Sequence, residues 1–428
     1  MRVKDHVLRH LDHDYTRPIR DPLWGHIYLS DGLVSIVNSV EFQQLSRIKQ
    51  LGPTHLVYPG ATHTRLAHSL GVYHTAYRMI RALLIYDEAP AINRELVSAY
   101  LAAALLHDLG HFPFTHSLKE LPLADHEALA AEIVREGDLA RRIRDDLRTD
   151  PDLVARIIDE SLDGDGRPEV RLFRRLLSGS LDPDKLDYLN RDAYFCGVPY
   201  GTQDIDFALS RLRPNGADGI ALERSGISAV ENVLFSKYLM YRAVYWHRTV
   251  RVATAMIKVG LYHGLTEGFI DERDLYGLND ETFYAAFCSH EERPFDLIRR
   301  VYNRQLYVPT ADLGFDETNP AHQRLANLAD RAAVEKRLHR LISRRLGREI
   351  EPLDIIVDIP EPVSFEVTFP VIDEDRVIDY PDAGSVFTPH VIEDFTRALR
   401  RIRMILEPGV AADLDAHRQL LDEAVESP

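Results

Sequence analysis

Residues 99–116, AYLAAALLHDLGHFPFTH, join an apolar helix to a turn that is rich in histidine. A helix is predicted over about Asn93–Leu109, because its apolar residues continue until Gly110 interrupts them. On a helix, the adjacent residues His107 and Asp108 point about 100° apart, so both can reach one ion only at the helix edge between them. Any further ligands must therefore come from neighbouring helices.

The His107–Asp108 pair has two interpretations. Imidazole and carboxylate together suit borderline divalent metals, and they leave positions open for water and for a substrate oxygen. A buried, hydrogen-bonded pair beside a helix cap is the structural alternative. The fully apolar run before the pair, and the glycine turn with His111 and His116 after it, favour the metal.

Helical periodicity dominates the rest of the chain up to about residue 270. Further helices are predicted at Leu33–Leu51, Arg65–Tyr86, His126–Glu136, Pro151–Ser161, Glu169–Ser178, Asp184–Ala193 and, as one helix without proline, Gly226–Leu265. DIIVDI (354–359) and SFEVTF (364–369) are rich in β-branched and aromatic residues and predict a small β element. We expect a mainly α protein, with a helical bundle over residues 1–270 and a mixed α/β region over residues 271–428.

Composition narrows the class of protein and its partners. Hydrophobic residues at 45% and charged residues at 28% are typical of a globular chain rather than a disordered one. The net charge of −16 over 428 residues argues against strong binding to nucleic acid or acidic membranes, although a local basic pocket could hold a small anion. With only Cys196 and Cys288 there is no disulfide framework, and the N-terminus has no apolar signal segment. We expect a cytoplasmic protein.

Five motifs in the same order resemble the HD-domain metal-dependent phosphohydrolases, and in particular the deoxynucleoside triphosphate triphosphohydrolases, which include dGTPase-like enzymes and the SAM-and-HD-domain proteins. The motifs are DPLWGHIYL, FQQLSRIKQLG, VYPGATHTRLAHSLGV, HDLGHFPFTH and DPDKLDYLNRDAYFCGV. The resemblance covers about residues 20–260. It implies a helical HD domain that converts a dNTP to a deoxynucleoside and inorganic triphosphate. It also implies one divalent metal, drawn from Mn, Mg, Fe, Co, Ni and Zn, on His68, His107, Asp108 and Asp184.

The same resemblance implies roles for other residues around the metal. His111 and His126 match positions that act on the leaving oxygen and the attacking water. Positions that contact the triphosphate correspond to Arg65, His116, Lys185 and Lys237, and positions that contact the sugar correspond to Gln50, Leu51, Tyr188, Asp192 and Tyr245. The alternatives are ordinary surface charges for the cations, core packing for the two tyrosines, and an exposed residue beside the Asp125 helix cap for His126.

The sequence departs from the family at three positions. Lys119 stands where the family has an acidic residue after the last histidine of the HDLGHxPFxH motif, so any role of that acid in orienting a histidine would pass to Glu120 or be lost. Asn38 and Ser46 stand where mammalian relatives read an activating guanine with a charged pair. We therefore expect activity that does not depend on GTP.

Relatives in this family form dimers and tetramers, and we expect a homo-oligomer here too. Candidates for an intersubunit or interdomain face, with burial inside the monomer as the alternative, are Phe235, Leu239, Tyr241 and Trp246. Two other functions stay open. One is an HD phosphohydrolase or phosphodiesterase acting on another nucleotide, and the other is a non-catalytic nucleotide sensor.

Overall fold

The structure is a computed structural model. It describes residues 3–88, 92–164, 166–215, 219–363, 365, 369–374, 376–415 and 417–426. Helices dominate this part of the chain, and the strands form small sheets. The predicted mainly α class is therefore confirmed.

The α-helices of the described residues are numbered in chain order. They are α1 Val3–Asp14, α2 Asp31–Val37, α3 Val40–Gln44, α4 Arg65–Leu84, α5 Arg94–Leu106, α6 His126–Arg135, α7 Gly137–Asp145, α8 Pro151–Ile158, α9 Pro168–Leu177, α10 Pro183–Cys196, α11 Ile205–Ser210, α12 Ile227–Met240, α13 Arg248–Thr266, α14 Asp280–Cys288, α15 Arg293–Tyr302, α16 Pro320–Arg324, α17 Leu328–Leu346, α18 Pro389–Leu399, α19 Pro408–Asp413 and α20 His417–Glu426.

The strands of the described residues form sheets of two, four and three strands. They are β1 Arg17–Asp21, β2 Gly25–Leu29, β3 Leu212–Pro214, β4 Ile220–Glu223, β5 Val308–Gly314, β6 Ile355–Asp358, β7 Pro370–Asp373, β8 Arg376–Asp379 and β9 Arg401–Leu406. β1 and β2 pair as an antiparallel hairpin. The second sheet has the order β3-β4-β7-β8 with β4 parallel to β7, and the third has the order β5-β9-β6.

Two predicted helices are broken in the structure. The segment 33–51 is divided at Ser39, whose hydroxyl accepts the Phe42 N–H and so starts α3. The segment 226–265 is divided after a π-helical turn at Tyr241–Tyr245, because His247 leaves the helical conformation and its Nδ1 accepts the Thr249 N–H that starts α13. Both breaks come from side-chain caps rather than from proline.

The predicted β element is present in part. β6 lies within DIIVDI, whereas residues 364 and 366–368 of SFEVTF lie outside the described residues. Because β4 pairs with β7, the four-stranded sheet joins segments from both sides of residue 270, and the domain boundary stays a prediction.

The centre of the helical region is formed by α4, α5 and α10, which pack against one another or against shared neighbours. The close approach of α4 and α10 depends on Gly71. A Cβ at this position would lie 1.8 Å from Asp187 Oδ1 and 2.4 Å from Arg191 Nη2. The glycine therefore lets polar side chains of α10 meet α4 directly, at the place where the predicted ligands lie.

Candidate metal centre and nucleotide pocket

The four predicted metal ligands come together from three helices. His68 lies on α4, His107 and Asp108 follow the end of α5, and Asp184 lies in the first turn of α10. Asp184 Oδ1 is 2.9 Å from His68 Nε2 and 3.8 Å from His107 Nε2. Asp108 Oδ1 is 3.3 Å from His107 Nε2, and its Oδ2 is 3.9 Å from His68 Nε2. His68, His107 and Asp184 therefore lie close enough to hold one ion, and Asp108 lies between this group and a second group that it forms with His111 and His126. Imidazole and carboxylate together fit a divalent metal.

His68 is oriented by Asp187, a residue that the sequence analysis did not select. Asp187 Oδ2 is 2.9 Å from His68 Nδ1, which leaves Nε2 of the ring facing Asp184. The Asp187 carboxylate also accepts Nε and Nη2 of Arg191 at 2.8 and 2.9 Å, and Trp24 Nε1 at 2.5 Å. Arg191 in turn donates to Asp21 at 2.8 Å. This chain of contacts fixes the ring of one proposed ligand, as carboxylates commonly do behind a metal-binding histidine.

The signal for Asp187 was present in the sequence. It lies three residues after Asp184 in the same motif, and Arg191 follows four residues later, so all three share one side of α10. Trp24 and Asp21 explain the DPLWG motif, because both contact this buried pair.

The field at the centre is negative. Burial lowers the pKa of His68, but its hydrogen bonds to Asp184 and Asp187 outweigh burial and raise it to about 10. Burial raises the pKa of Asp108, yet the neighbouring side chains of His111, His107 and Arg65 hold that pKa well below its ordinary value. Ionised carboxylates around an imidazole favour a bound cation.

Three further histidines form a cluster beside Asp108. His111 Nδ1 is 3.2 Å from Asp108 Oδ1, and His111 Nε2 is 3.1 Å from His116 Nε2. The rings of His111 and His126 have centroids 4.1 Å apart. Gly110 allows this contact, because a Cβ there would lie 2.0 Å from the carbonyl oxygen of His126.

The electrostatics of this cluster favour neutral imidazole. Burial lowers the pKa of His126 to about 4 and, together with the nearby Arg65, holds that of His111 well below its ordinary value. His126 lies directly after its helix cap Asp125, as the alternative interpretation had it, but only 12% of its side chain is exposed. A neutral ring at this place can accept a proton.

The predicted phosphate-binding cations lie in different environments. Arg65 is buried and donates to Asp108 Oδ2 at 2.8 Å. Lys185 Nζ donates to Asp182 Oδ2 at 2.6 Å, and Lys237 is buried with its Nζ 5.5 Å from the ring centroid of Phe365. His116 belongs to the histidine cluster. Arg65 and Lys237 are thus not ordinary surface charges.

Three of the predicted sugar-binding residues meet at α10. The rings of Tyr188 and Tyr245 are 6.4 Å apart, and the Tyr245 hydroxyl donates to Asp192 Oδ2 at 2.6 Å. The side-chain oxygen Oε1 of Gln50 is buried and has no hydrogen-bond partner among the described residues, and Leu51 packs half-buried against the core. Tyr188, Asp192 and Tyr245 therefore lie together.

Comparison with known proteins gives the family. The family model described as HD domain matches residues 65–188, and the model described as HD associated region matches residues 212–388. The chain is 32% identical over 341 residues to the uncharacterized protein YwfO of Bacillus subtilis, across 74% of this chain and 76% of the relative. The chain belongs to the HD-domain phosphohydrolase family.

Other relatives of this HD protein include one with a stated activity. An uncharacterized protein of Methanocaldococcus jannaschii is 33% identical over 71% of the chain and 61% of its own length. The deoxynucleoside triphosphate triphosphohydrolase SAMHD1 homolog of Dictyostelium discoideum is 26% identical over 68% of the chain and 59% of its own length. The chain thus spans about three-fifths of these two relatives.

Solved structures share the fold of the HD protein. A hypothetical protein from Aquifex aeolicus superposes with a TM-score of 0.70 at 25% identity, covering 93% of this chain and 99% of that one. A phosphohydrolase from Bacteroides thetaiotaomicron superposes with a TM-score of 0.70 at 23% identity, which shows the fold alone.

None of the described helices of the HD protein is both long and apolar enough to cross a membrane.

Glu120 does not take over the role of the acid that Lys119 replaces. Its carboxylate pairs with Lys258 of α13 and Arg331 of α17, both buried, so it is turned toward the C-terminal region and away from the histidines. Lys119 itself is exposed. Among the described residues, the acid nearest to a ring nitrogen of His126 is its neighbour Asp125, with Oδ1 3.3 Å from His126 Nδ1.

Proposed function

We propose that this HD protein converts a dNTP to a deoxynucleoside and inorganic triphosphate with the help of one divalent metal. The observation that carries the proposal is the spacing along α10. Asp184, Tyr188 and Asp192 follow one another at four-residue intervals, so they share one side of the helix over about 12 Å. A proposed metal ligand at one end and a proposed sugar-binding pair at the other match the order of the α-phosphate and the sugar in a nucleotide.

His68, His107, Asp108 and Asp184 would hold the metal. The ion would act as a Lewis acid on an oxygen of the α-phosphate. The chain itself supplies the negative field that retains the ion and, through Asp187, the fixed ring of His68. The identity of the metal among Mn, Mg, Fe, Co, Ni and Zn is decided by affinity and supply rather than by this donor set.

His111 and His126 are proposed to move the protons. In the reaction, water forms a bond to the α-phosphorus while the bond from phosphorus to the 5′ oxygen breaks. The water loses a proton, and the 5′ oxygen must gain one to leave as an alcohol. Two neutral, adjacent imidazoles are suited to this exchange.

The remaining residues bind the two ends of the substrate. Arg65, His116, Lys185 and Lys237 are proposed to offset the charge of the triphosphate. Tyr188 would lie against C2′ and exclude a ribose hydroxyl, while Gln50 and Asp192 would take the 3′ hydroxyl. The unpartnered buried oxygen of Gln50 supports this assignment, because a buried acceptor without a donor costs free energy until a ligand supplies one. Leu51 and Tyr245 would complete the sugar site.

The test is product analysis with the purified protein. Each of the four dNTPs and the matching NTPs is incubated with Mg, Mn or Co, and the products are separated by chromatography. Inorganic triphosphate and deoxynucleoside are expected from dNTPs. Release of monophosphate, or turnover of only another nucleotide, would support a different HD phosphohydrolase, and no turnover would support a sensor.

Tyr188 offers a second test of the same proposal. Replacing Tyr188 with Ala opens space near C2′, so the dNTP-to-NTP ratio of kcat/KM should fall by about tenfold. Tyr188→Phe keeps the ring and is the matched control, for which the ratio should stay unchanged. Equal ratios in the wild type and in Tyr188→Ala would place Tyr188 in the core instead.

We also propose a cytoplasmic homo-oligomer, a dimer or tetramer, whose activity is independent of GTP. Asn38 and Ser46 are exposed and carry no charge, and the Ser46 hydroxyl donates to Gln43 O at 2.6 Å. Of the candidate interface residues, Phe235 is 49% exposed, whereas Leu239, Tyr241 and Trp246 pack partly buried against the core. Light scattering with and without GTP tests the oligomer, and initial rates with and without GTP test the independence of activity from GTP. Assembly that requires GTP would contradict the proposal.

A further inference from the structure

The carboxylate of Asp192 is held from two sides. Asp192 is buried, with 2% of its side chain exposed, and its Oδ2 accepts the Tyr245 hydroxyl at 2.6 Å. Its Oδ1 lies 2.8 Å from Nε2 of His63, a side chain with no exposed surface. Since a buried carboxylate needs donors, His63 Nε2 carries the proton of this bond.

His63 is itself fixed in place. Its ring stacks on Phe195 of α10, with centroids 4.7 Å apart and an interplanar angle of 22°. Its carbonyl oxygen accepts the N–H of Gln50 at 3.0 Å, so the loop that carries Gln50 is tied to the loop that carries His63. The other ring nitrogen, Nδ1, is buried and has no hydrogen-bond partner among the described residues. The one hydrogen bond that the described residues give this ring therefore goes to Asp192.

These contacts leave Asp192 fixed but not saturated. Each oxygen of the carboxylate has one donor in these two contacts, while an ionised carboxylate has about four acceptor positions. The remaining positions can accept a hydroxyl of a ligand. Without the His63 bond the carboxylate could turn about its side-chain bonds, and a hydroxyl would meet it in several orientations rather than one.

We propose that His63 is a positioning residue, which holds the Asp192 carboxylate in the orientation that accepts the 3′ hydroxyl of the substrate. The inference rests on the proposed function, since it assumes that a deoxynucleotide lies with its sugar against Asp192. It gives the pocket a requirement for a free 3′ hydroxyl, and it makes His63 a determinant of specificity that does not touch the substrate.

The experiment compares two substitutions that separate hydrogen bonding from packing. His63→Phe keeps an aromatic ring for the stack on Phe195 but removes the donor. His63→Gln loses the stack but keeps an N–H near the position of Nε2. For each protein, loaded with metal, kcat/KM is measured for a dNTP and for the matching 2′,3′-dideoxynucleoside triphosphate, which differs only by lacking the 3′ hydroxyl.

The wild type should prefer the dNTP by at least about tenfold, because a site built to bind a hydroxyl rejects an analogue that lacks it. His63→Phe should bring this ratio close to one, by losing activity on the dNTP and keeping most of its activity on the dideoxynucleotide. His63→Gln should retain most of the preference for the dNTP over the dideoxynucleotide. A purely structural role would lower both activities equally and leave the ratio unchanged.

Tyr245→Phe removes the other donor to Asp192 and should also lower the ratio. If His63→Phe does not fold by circular dichroism, His63→Asn replaces it, because its side chain is too short to reach Asp192. An unchanged ratio in a folded variant that lacks the donor, or a ratio lost in His63→Gln and kept in His63→Phe, overturns the inference.

A wild type that is active on dNTPs but shows no preference for them over the dideoxynucleotide also overturns the inference and leaves the proposed function standing. A wild type that hydrolyses no dNTP overturns the proposed function itself and, with it, the inference.

Discussion

Two polar clusters begin at the two ends of the segment His111–Glu120, and they differ in how their charged groups are paired. In the candidate metal centre, carboxylates and imidazoles face one another, and Nε of Arg65, which pairs with Asp108, is buried without a hydrogen-bond partner among the described residues. The second cluster is an ion-pair network formed by Glu120, Arg251, Lys258, Arg331 and Asp358. There each carboxylate meets a cation directly, and the one unpartnered atom beside it is Nη1 of buried Arg403, 3.9 Å from Asp358 Oδ2, among the described residues.

The difference indicates different roles. A cavity of about 10 Å³ lies beside Lys258, Arg331 and Asp358, which is space for about one water and not for a ligand. The network therefore has a structural role, because it connects three segments of the chain. Glu120 follows the HD motif, Lys258 lies on α13, and Arg331 lies on α17 of the C-terminal region. In the candidate metal centre, by contrast, imidazole and carboxylate groups lie close enough together to hold an ion.

Removing a metal ligand should have the largest effect. His107→Ala and Asp108→Ala should each abolish turnover, by about a thousandfold or more, while circular dichroism shows the helical fold intact, because apolar packing holds the scaffold. Metal content measured by mass spectrometry should fall in parallel. His390→Ala, which changes a histidine whose side chain is 80% exposed, is the control and should keep both. Near-normal turnover of either ligand variant without metal would show that the centre is not metal-dependent.

Breaking the network should act on stability instead. Arg331→Met leaves Glu120 with one cation and removes donors from a buried carboxylate, so we expect a loss of about 3 kcal/mol in the free energy of unfolding. Turnover by the folded fraction should fall less than tenfold. Urea unfolding and rates on the same samples test the contrast. A stable variant with abolished turnover would place the network in the chemistry and erase the distinction between the clusters.

Asp187 lies between these extremes, since it is satisfied like the network but acts on the metal centre. Asp187→Asn should lower metal affinity by about 10- to 100-fold, and excess metal should restore much of the activity, because the change loosens the orientation of His68 and removes no proposed ligand. It also removes the charge that pairs with buried Arg191, so it should lower the free energy of unfolding as well. Metal titration measures the shift. Asp206→Asn, at a side chain that is 87% exposed, is the control. Unchanged affinity would limit Asp187 to its pairing with Arg191.

The sequence predicts one cluster and not the other for a physical reason. His107 and Asp108 stand out in one short motif, and the resemblance to the HD-domain phosphohydrolases, which is carried by further short motifs, implies His68 and Asp184. Glu120 and Arg331 are 211 residues apart, and nothing local in either segment indicates the partner. Asp187 was within a motif but was passed over, because a hydrogen bond behind a ligand leaves no pattern of its own.

Helix ends show the same limit. Absence of proline predicted one helix over 226–265, but the cap formed by His247 divides it, and Ser39 divides the segment 33–51 in the same way. A capping side chain is visible in the sequence only as an ordinary polar residue. Its effect depends on whether packing favours a change of direction at that position, which is a property of the tertiary structure.

The smallest expected effect is on how the free energy of unfolding depends on pH. Its sign should differ between Glu120, a member of the network, and Glu335, an acid within reach of it. Burial raises the pKa of half-buried Glu335, whose carboxylate accepts the Val357 N–H at 2.8 Å, from 4.5 to about 7. Burial also raises the pKa of Glu120, but Lys258 and Arg331 outweigh it, and the pKa lies below its ordinary value. Folding therefore disfavours ionised Glu335 and favours ionised Glu120. The free-energy cost of ionising Glu335 in the folded protein is absent below about pH 4.5, grows as the pH rises, and is complete above about pH 7.

Glu335→Gln, which stays neutral and still accepts the N–H, should raise the free energy of unfolding at pH 8 by about 1 kcal/mol and by less at pH 5. Glu120→Gln should lower it at pH 8. Urea unfolding of both variants at the two pH values measures these shifts, and a loss of stability at pH 8 in Glu335→Gln would show that this carboxylate is a paired member of the network.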